Sequence, residues 1–290
     1  MDTIPLLIFQ CMNGVVWGLI FAMIVLGLSL TFGLMNLMNV AHGSFYMLGA
    51  MLTATFVSVH GLNFILSVVL SVAIVTVVGI VVDRLVLDRV VGAEPLIGLL
   101  STAGLLLLID SFALAFFGSA SISVDDPVSA SIEIFGTFYP VYRLVVAGIA
   151  IAAIAGVFCF LRFTRQGLWM RAVPESRDLS LIAGVSPRRV NCITVILGTF
   201  LAALAGALVT PIASAQFQMG LTILGTGFIV VVVGGAKNLL GTVTVAIALG
   251  VVRGIAATFV EPTAAEVISL VVLLPLLVIW PNGIFGGRHA

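Results

Sequence analysis

The chain has 290 residues, of which 61% are hydrophobic and only 8% are charged, and its mean hydropathy is +1.31. A soluble domain carries about a quarter charged residues, so this composition excludes a soluble protein and indicates one that crosses a membrane several times. The formal net charge is zero, which gives no sign of a nucleic-acid partner.

The apolar runs are long and continuous, as transmembrane helices require, and lack the period-two alternation of barrel strands. We therefore predict an all-α protein, a polytopic transmembrane helical bundle that forms a single domain over residues 1–290. Its three cysteines, Cys11, Cys159 and Cys192, lie in apolar runs without metal-ligand spacing, and they predict neither a disulfide nor a metal site.

The first part of the chain predicts four spans. An apolar run from about Ile4 to Leu34 is longer than one span needs, so we expect an interfacial lead-in followed by a crossing. A second run ends at Val59, and a third, Leu62 to Val82, leads into a mixed-charge loop that its arginines place inside. Pro95 opens the fourth span, which reaches about Gly118.

The second part predicts four more spans. Residues 119–140 include three acidic residues and no Lys or Arg, which places this loop outside. The run from Val141 to Leu161 crosses inward, and Asn191 to Ala213 crosses outward again. Thr242 to Val260 and Ala264 to Trp280 complete the bundle, and the tail with Arg288 belongs inside.

A ninth apolar segment, Leu224 to Gly241, has only about ten apolar residues between glycine-rich turns, too few for an ordinary span. This pattern predicts a broken or re-entrant helix, which at membrane depth must be shielded by protein or line a watery cavity. The count is thus eight or nine spans, and the side occupied by the N-terminus stays open.

The longest hydrophilic stretch, residues 162–190, holds six of the twelve basic residues, Arg162, Arg165, Arg171, Arg177, Arg188 and Arg189. The positive-inside rule places it in the cytoplasm. Within it we predict a short helix over Glu175 to Val185, with Gly184 as its stop. A structured helix in an inside loop indicates a docking surface, and the alternative is an ordinary solvated connector.

Small residues recur at four-residue spacing in two predicted spans, which favours close helix packing in lipid. The two sets are Gly148, Ala152 and Gly156, and Gly198, Ala202 and Gly206.

Polar residues follow the first span. Placed on a helix, Asn39, His42 and Tyr46 share one face, and Ser44 lies between them. Such a stripe can line a substrate path, because a solute crossing the bilayer needs replacement hydrogen bonds. The alternative is that these residues cap two helices at the membrane interface.

Asp110 and Arg253 are the ionisable residues expected to lie deepest, and we hypothesise that they pair, although each could reach an interface by snorkelling. Lys237 lies in the short segment and could line it or anchor its cytoplasmic end. The candidate residues of the translocation pathway are Asn39, His42, Ser44, Tyr46, Asp110, Thr226 and Lys237.

Catalytic motifs are absent from the sequence. It has no GxxxxGK[ST] phosphate loop, no HExxH and no GxSxG, and its three histidines are scattered. The chain is therefore not expected to be an enzyme or to bind a cofactor or metal of its own.

Several stretches together resemble the permease subunits of ATP-binding-cassette importers for branched-chain amino acids. The stretch from Gly27 to Ala50, with its Asn-x-Ala-His-Gly segment, is similar to the family's first span and its continuation. Arg171 to Leu208 resembles the cytoplasmic coupling loop and the small-residue helix after it. The segments GFIVVVVGGAKNLLGTVTVA and WPNGIFG are also similar, although Gly-Gly-Ala-Lys-Asn replaces the usual Gly-Gly-Leu-Gly-Ser and the loop lacks a clean Glu-Ala-Ala.

The resemblance implies a multi-pass protein of the bacterial inner membrane with a cytoplasmic C-terminus. It implies three kinds of partner besides lipid: a second homologous permease, two cytoplasmic P-loop ATPases and an external solute-binding protein. The ATPases would act on the coupling residues Arg171, Glu175, Arg177, Asp178, Leu181 and Gly184. Relatives also carry urea, amides and carboxylates, and the residues do not choose among these solutes. The competing hypothesis is a self-sufficient secondary transporter or channel, which predicts paired inverted repeats.

Overall fold

The computed structural model describes residues 3–134, 137–280 and 283–284, and over these ranges the protein is helical apart from one β-hairpin and its connections. The helices are Thr3–Met35 (α1), His42–Ser58 (α2), Phe64–Val82 (α3), Asp88–Val90 (α4), Pro95–Phe117 (α5), Val141–Phe163 (α6), Arg165–Ala172 (α7), Arg177–Ile182 (α8), Pro187–Val209 (α9), Met219–Gly234 (α10), Leu239–Ala256 (α11) and Pro262–Ile279 (α12). The antiparallel strands are Ser131–Ile134 (β1) and Thr137–Pro140 (β2). The all-α class is confirmed, and the predicted inside tail with Arg288 lies outside the described residues.

Six of the described helices are long and apolar enough to cross a membrane. They cover Pro5–Met35, Phe64–Val90, Pro95–Phe117, Val141–Phe163, Pro187–Val209 and Leu239–Ala256. Two shorter apolar helices, Met219–Gly234 and Thr263–Ile279, accompany them. Helix α1 is the centre of the bundle. Of its 18 most apolar consecutive residues 78% are buried, whereas the corresponding share is 28% in α5 and in α6.

Glycines explain how other helices come so close to α1. A Cβ atom on Gly14 would lie 2.5 Å from the carbonyl oxygen of Gly250 on α11, and one on Gly27 would lie 2.9 Å from that of Gly198 on α9. Real Cβ atoms do not approach other atoms so closely, so these backbones pack in direct contact. Close approach of this kind is what holds apolar helices together in lipid.

The small-residue repeat on α9 has the packing role predicted for it. A Cβ atom on Gly206 would lie 2.0 Å from the carbonyl oxygen of Tyr46 on α2. The corresponding prediction for α6 is wrong, because Gly148 and Gly156 have no described atom within 4 Å of a Cβ position. Those glycines lie on the outer face of a helix of which only one side is buried.

Helix α1 is a single helix of 33 residues, without the separate lead-in that we expected. At 1.5 Å per residue it is about 50 Å long, so it extends beyond a hydrocarbon core of about 30 Å. The polar residues that suggested a break have partners. Arg143 donates a hydrogen bond to the Asn13 side chain, whose amide lies 3.5 Å from the Gln10 side chain.

The mixed-charge segment after α3 is helical, which corrects the predicted loop. Residues Asp83–Leu87 form a π-helical turn that continues directly into α4. Arg89 supports this wide turn by donating a hydrogen bond of 2.8 Å to the carbonyl oxygen of Arg84 and another to that of Leu85. The guanidinium group thereby adds a side-chain donor to the carbonyls of the widened turn.

The short apolar segment forms α10, which begins at Met219 and has 16 residues. It ends at Gly234, and Gly235 turns the chain with a φ of +93° before α11 begins. The side chain of Asn238 caps α11 by accepting a 3.0 Å hydrogen bond from the Gly241 amide. The predicted break is therefore a tight turn between two helices.

The bundle has two chemically different ends. The start of α1 lies beside the β-hairpin, where the rings of Phe9 and Tyr139 meet edge to face at 5.4 Å, and we call this the hairpin end. The opposite end carries α7, α8 and the α10–α11 turn, where a Cβ atom on Gly33 would lie 2.4 Å from the Ala236 carbonyl oxygen. We call it the arginine end, and the N-terminal end of α1 is remote from it.

We predict that Gly14→Ala destabilises the protein although alanine is the better helix former. Its Cβ atom would push α11 away, and overpacking of this kind costs about 1–3 kcal/mol in free energy of unfolding. The matched control is Gly156→Ala, which meets open space on α6 and should leave stability equal or raise it by up to about 1 kcal/mol. Thermal unfolding of both variants in detergent measures the difference, and equal midpoints would contradict the packing argument.

Candidate functional site

The connection between α1 and α2, residues 36–41, runs back into the bundle. Thr102 on α5 donates a 3.0 Å hydrogen bond to the Met38 carbonyl, and Ser44 near the start of α2 donates one of 2.9 Å to Asp110 further along α5. Thr102 and Asp110 lie about 10 Å and 22 Å along α5 from Pro95. The chain therefore climbs between these levels, and α2 begins within the protein.

Residues 36–41 are also stabilised by their own conformation and by an internal hydrogen bond. Asn36, at its start, has a φ of +52°, a left-handed conformation that asparagine tolerates better than most residues. The Asn39 side chain accepts a 3.1 Å hydrogen bond from the Ala41 amide. Helix α2 begins only at His42, so Asn39 does not share a helical face with His42 and Tyr46.

His42 holds the start of α2 against α1. The ring is 1% exposed, and its Nε2 atom lies 3.1 Å from the Ile24 carbonyl oxygen. A carbonyl oxygen can only accept, so Nε2 carries the proton and donates. The ring fits because Gly27 and Gly198 leave room beside it. In this structure His42 ties three helices together, and it is not part of the wall of the cavity described below.

The hypothesis that Asp110 pairs with Arg253 is wrong. Asp110 accepts the hydrogen bond from Ser44, whereas Arg253 on α11 lies 3.1 Å from the carboxylate of Glu266 on α12. Helix α5 packs against α2, and α11 packs against α1 and α12, so the two charges belong to different parts of the bundle.

A cavity of about 270 Å³ lies between five helices, in the half of the bundle towards the hairpin end. It is lined by Trp17, Ile20 and Phe21 of α1, Tyr46 of α2, Ala213, Ser214 and Gln216 of the α9–α10 connection, Met219, Thr222, Ile223 and Thr226 of α10, Leu249, Gly250 and Arg253 of α11, and Glu266 and Ser269 of α12. Its volume is close to the lower bound of about 300 Å³ for small-molecule sites.

Two of the predicted pathway residues, Tyr46 and Thr226, come together in the wall of this cavity. The structure places the others elsewhere. Asn39 and His42 are buried at the start of α2, Ser44 and Asp110 form the contact with α5, and Lys237 is exposed in the α10–α11 turn at the arginine end.

Sequence reasoning missed the charged part of the wall. Glu266 lies near the beginning of the last apolar run, where the sequence predicts no site, and Arg253 pairs with it and not with Asp110. The Arg253 side chain is 45% exposed and the Glu266 side chain 34%, so the ion pair contributes only about 0–1 kcal/mol to stability. A search for opposite charges near the facing ends of consecutive helices could have found this pair.

The first turns of α2 and α10 meet beside the cavity. A Cβ atom on Gly43 would lie 2.3 Å from the Gly220 carbonyl oxygen, and one on Gly220 would lie 2.4 Å from that of Gly43. Any side chain at either position would separate the two helices. The wall therefore depends on two short helices that begin next to one another.

At the arginine end, the predicted helix over Glu175 to Val185 is shorter than expected. Helix α8 begins at Arg177, because the Ser176 side chain caps it by accepting a hydrogen bond from the Leu179 amide. Glu175 lies in the preceding turn, and Gly184 ends the segment with a φ of +78°. A further helix, α7, precedes it and was not predicted.

Helix α8 exposes apolar side chains that a solvated connector would not need. Leu179, Leu181 and Ile182 are 66%, 55% and 83% exposed, and Asp178 is exposed beside them. An exposed apolar cluster rimmed by charges marks an interaction surface. Arg171 on α7 is exposed at the same end. We call Leu179, Leu181 and Ile182 the α8 cluster.

Among the described residues, no group of three or more His, Cys, Asp or Glu side chains is arranged to hold a metal ion. The polar groups of the site are instead suited to hydrogen bonds and to one pair of opposite charges.

Comparison with known proteins gives a family match over nearly the whole chain. Residues 10–279 match the family model described as a branched-chain amino acid transport system / permease component.

Individual relatives align over almost their full length. The high-affinity branched-chain amino acid transport system permease protein LivH of Salmonella typhimurium is 24% identical over 96% of this chain and 94% of its own. LivH of Escherichia coli K12 shows the same identity and coverage. The permease protein BraD of Pseudomonas aeruginosa is 22% identical over 96% of this chain and 95% of its own.

We predict that Ser44→Ala lowers the free energy of unfolding by about 1–3 kcal/mol, because the Asp110 carboxyl group loses its hydrogen-bond donor. The control is Ser111→Ala, which removes an exposed hydroxyl bound to its own helix at the Leu107 carbonyl. That change should stay within about 0.5 kcal/mol. Denaturant titration in detergent compares them, and an equally small effect of both would show that the contact between α2 and α5 is not stabilising.

Proposed function

This chain belongs to the family of permease components of branched-chain amino acid transport systems, and we propose that it is one of two membrane subunits of an ATP-driven importer. It is a transporter subunit and not itself an enzyme. Its proposed partners are a second homologous permease, two cytoplasmic P-loop ATPases and an external solute-binding protein. The observation that carries this proposal is the α8 cluster, an apolar surface at the arginine-rich end of an otherwise lipid-adapted protein.

The charge distribution supports one orientation. The positive-inside rule puts the arginine end in the cytoplasm. The hairpin end, whose loop carries Asp125, Asp126 and Glu133, then faces outside, and the N-terminal end of α1 lies there too. Ile284 donates a 2.8 Å hydrogen bond to the Val233 carbonyl at the arginine end, which favours a cytoplasmic C-terminus.

These orientations require an odd number of crossings. Helices α1, α3, α5, α6, α9 and α11 supply six of them. We assign the other three to α10, to α12, and to α2 together with its re-entrant connection, so nine is the number that fits. The setting for such a chain is the bacterial inner membrane.

The proposed coupling runs from α8 through α9 to α2. The Val185 amide donates a 2.9 Å hydrogen bond to the Ser180 carbonyl, which fixes α8 to the chain leading into α9. Helix α9 in turn touches the backbone of α2, where a Cβ atom on Gly49 would lie 2.3 Å from the Ala203 carbonyl oxygen. Tyr46, one turn earlier on α2, lines the cavity. A push on α8 therefore reaches the cavity wall through directly packed helices.

In this scheme, ATP binding and hydrolysis shift the equilibrium between the outward-open and inward-open forms of the permease. The ATPase subunits bind nucleotide with different strength in their closed and open forms, and only such a difference can shift the permease between two openings. The coupling residues are those at the arginine end, Arg171, Glu175, Arg177, Asp178, Leu181 and Gly184. The candidate pathway residues in the cavity wall are Tyr46 and Thr226. Asn39, His42, Ser44 and Asp110 would hold α2 in position, and Lys237 would sit at the cytoplasmic end.

The relatives' names and the apolar cavity walls favour branched-chain amino acids as the solute. Proteoliposomes containing this chain, its second permease and the ATPases, with the binding protein outside, should take up L-leucine only when ATP is inside. Uptake should survive collapse of ion gradients. Uptake by this chain alone, driven by an ion gradient, would contradict the proposal and favour a secondary transporter.

We predict that Leu181→Glu abolishes copurification of the ATPase subunits, because it puts a charge into the centre of the α8 cluster. The fold should persist, since Leu181 is more than half exposed. The control is Phe138→Glu, which places the same charge at an exposed position of the hairpin end and should leave ATPase binding intact. Copurification of the ATPases with the Leu181 variant at wild-type levels would refute docking at α8.

A further inference from the structure

We propose that Arg253 and Glu266 form a binding subsite for the charged groups of a zwitterionic α-amino acid whose branched side chain lies against the apolar cavity wall. This inference rests on the proposed function and assigns residues within it. The pair lies in the wall of the cavity at the hairpin end, the side from which an importer receives its solute.

Opposite charges in the wall match the ligand. An α-amino acid carries its carboxylate and its ammonium group on one carbon atom, and Arg253 and Glu266 present their charged atoms 3.1 Å apart. The planar guanidinium group of Arg253 suits a carboxylate, and the Glu266 carboxylate accepts hydrogen bonds from an ammonium group. A ligand with one charge, or none, would leave part of the pair unmatched.

The exposure of the pair allows it to change partners. The two side chains are 45% and 34% exposed, and an ion pair open to solvent in this way holds its partners weakly. Both residues lie close to helix ends, Arg253 in the last turn of α11 and Glu266 near the beginning of α12. The pair can therefore open to admit a zwitterion without loss of the helices that carry it.

A hydroxyl group in the cavity wall suits the same ligand. Tyr46 lines the cavity, and its hydroxyl group makes no hydrogen bond to another described residue. The hydroxyl oxygen is not one of the described fully buried atoms that lack a partner, so it is accessible from the cavity. The Tyr46 hydroxyl can hydrogen-bond a carboxylate or an ammonium group.

The remaining wall suits an aliphatic side chain. Trp17, Ile20 and Phe21 present one face of α1, and Met219 and Leu249 close it from α10 and α11. Small-molecule sites commonly combine such apolar walls with a few polar groups that fix orientation. Together these features distinguish branched-chain amino acids from urea and from simple carboxylates.

The test measures equilibrium binding of radiolabelled L-leucine to the complete permease–ATPase complex in nanodiscs, without the external binding protein. Leucinamide, which lacks the carboxylate, and 4-methylpentanoate, which lacks the ammonium group, serve as competitors. We expect wild-type protein to bind leucine and to discriminate at least 10-fold against both analogues. Absence of leucine binding to the wild-type complex at millimolar concentration would overturn the proposal.

Two single variants test the contributions of the Arg253 and Glu266 charges to leucine binding separately. Arg253→Gln should weaken leucine binding at least 10-fold and lose the discrimination against leucinamide. Glu266→Gln should weaken it similarly and lose the discrimination against 4-methylpentanoate. Glu133→Gln, an exposed charge change in the hairpin, is the control and should bind like wild type. Wild-type affinity and selectivity in both cavity variants would overturn the subsite.

The exchanged double variant Arg253→Glu with Glu266→Arg guards against a purely structural effect. It preserves the ion pair between α11 and α12 but reverses the charges seen by a ligand whose side chain is fixed by the wall. We expect normal assembly and at least 10-fold weaker leucine binding, and wild-type binding would overturn the proposal.

ATP-dependent leucine uptake by the wild-type system, measured in parallel with the binding protein present, tests the importer separately. If wild type transports leucine and the variants bind it normally, only the subsite is refuted.

Discussion

Direct backbone contact around α1 is the constraint on which the rest of this structure depends. Lipid chains are as apolar as leucine, so no hydrophobic force brings spans together, and helices associate where small residues let them approach closely. Gly14 and Gly18 contact α11, Gly27 contacts α9, and Gly33 contacts the turn between α10 and α11. These contacts are spread along the helix and face different neighbours. The bundle is therefore assembled around one helix, and α5 and α6 lie at its edge with most of their surface exposed.

The cavity arises where this packing is interrupted. Backbone polar groups within a membrane must be satisfied by protein, which limits where a chain can leave the helical form. Here the connection before α2 is satisfied by Asn39 and by Thr102, and the α9–α10 connection is tied by paired hydrogen bonds between Ile122 and Ala215. Helices α2 and α10 can then begin inside the protein and meet at Gly43 and Gly220. The space beside their first turns is the cavity, which lies towards the end opposite the α8 cluster.

Much of the fold could be predicted from the sequence, because long apolar runs and the Pro and Gly residues at their ends are local signals. Pro95 begins α5 and Gly118 ends it, as the sequence indicated. The β-hairpin and the π-helical turn at Asp83 carried no such signal, since short strands and wide turns depend on their surroundings.

The site was harder to predict for the same reason. Spacing along the chain grouped Asn39, His42 and Tyr46, but tertiary packing sends only Tyr46 to the cavity and gives Asp110 and Arg253 different partners.

Sidedness is the most direct test of the account, because docking of ATPases at α8 and entry of solute at the hairpin end both require it. Single cysteines are introduced as Ile182→Cys and Phe138→Cys after replacement of Cys11, Cys159 and Cys192, and the vesicles are treated with a membrane-impermeant maleimide. The account predicts that Ile182→Cys reacts only in inverted vesicles and is protected by bound ATPase, while Phe138→Cys reacts only in right-side-out vesicles. Labelling of Ile182→Cys from the external side would contradict the account.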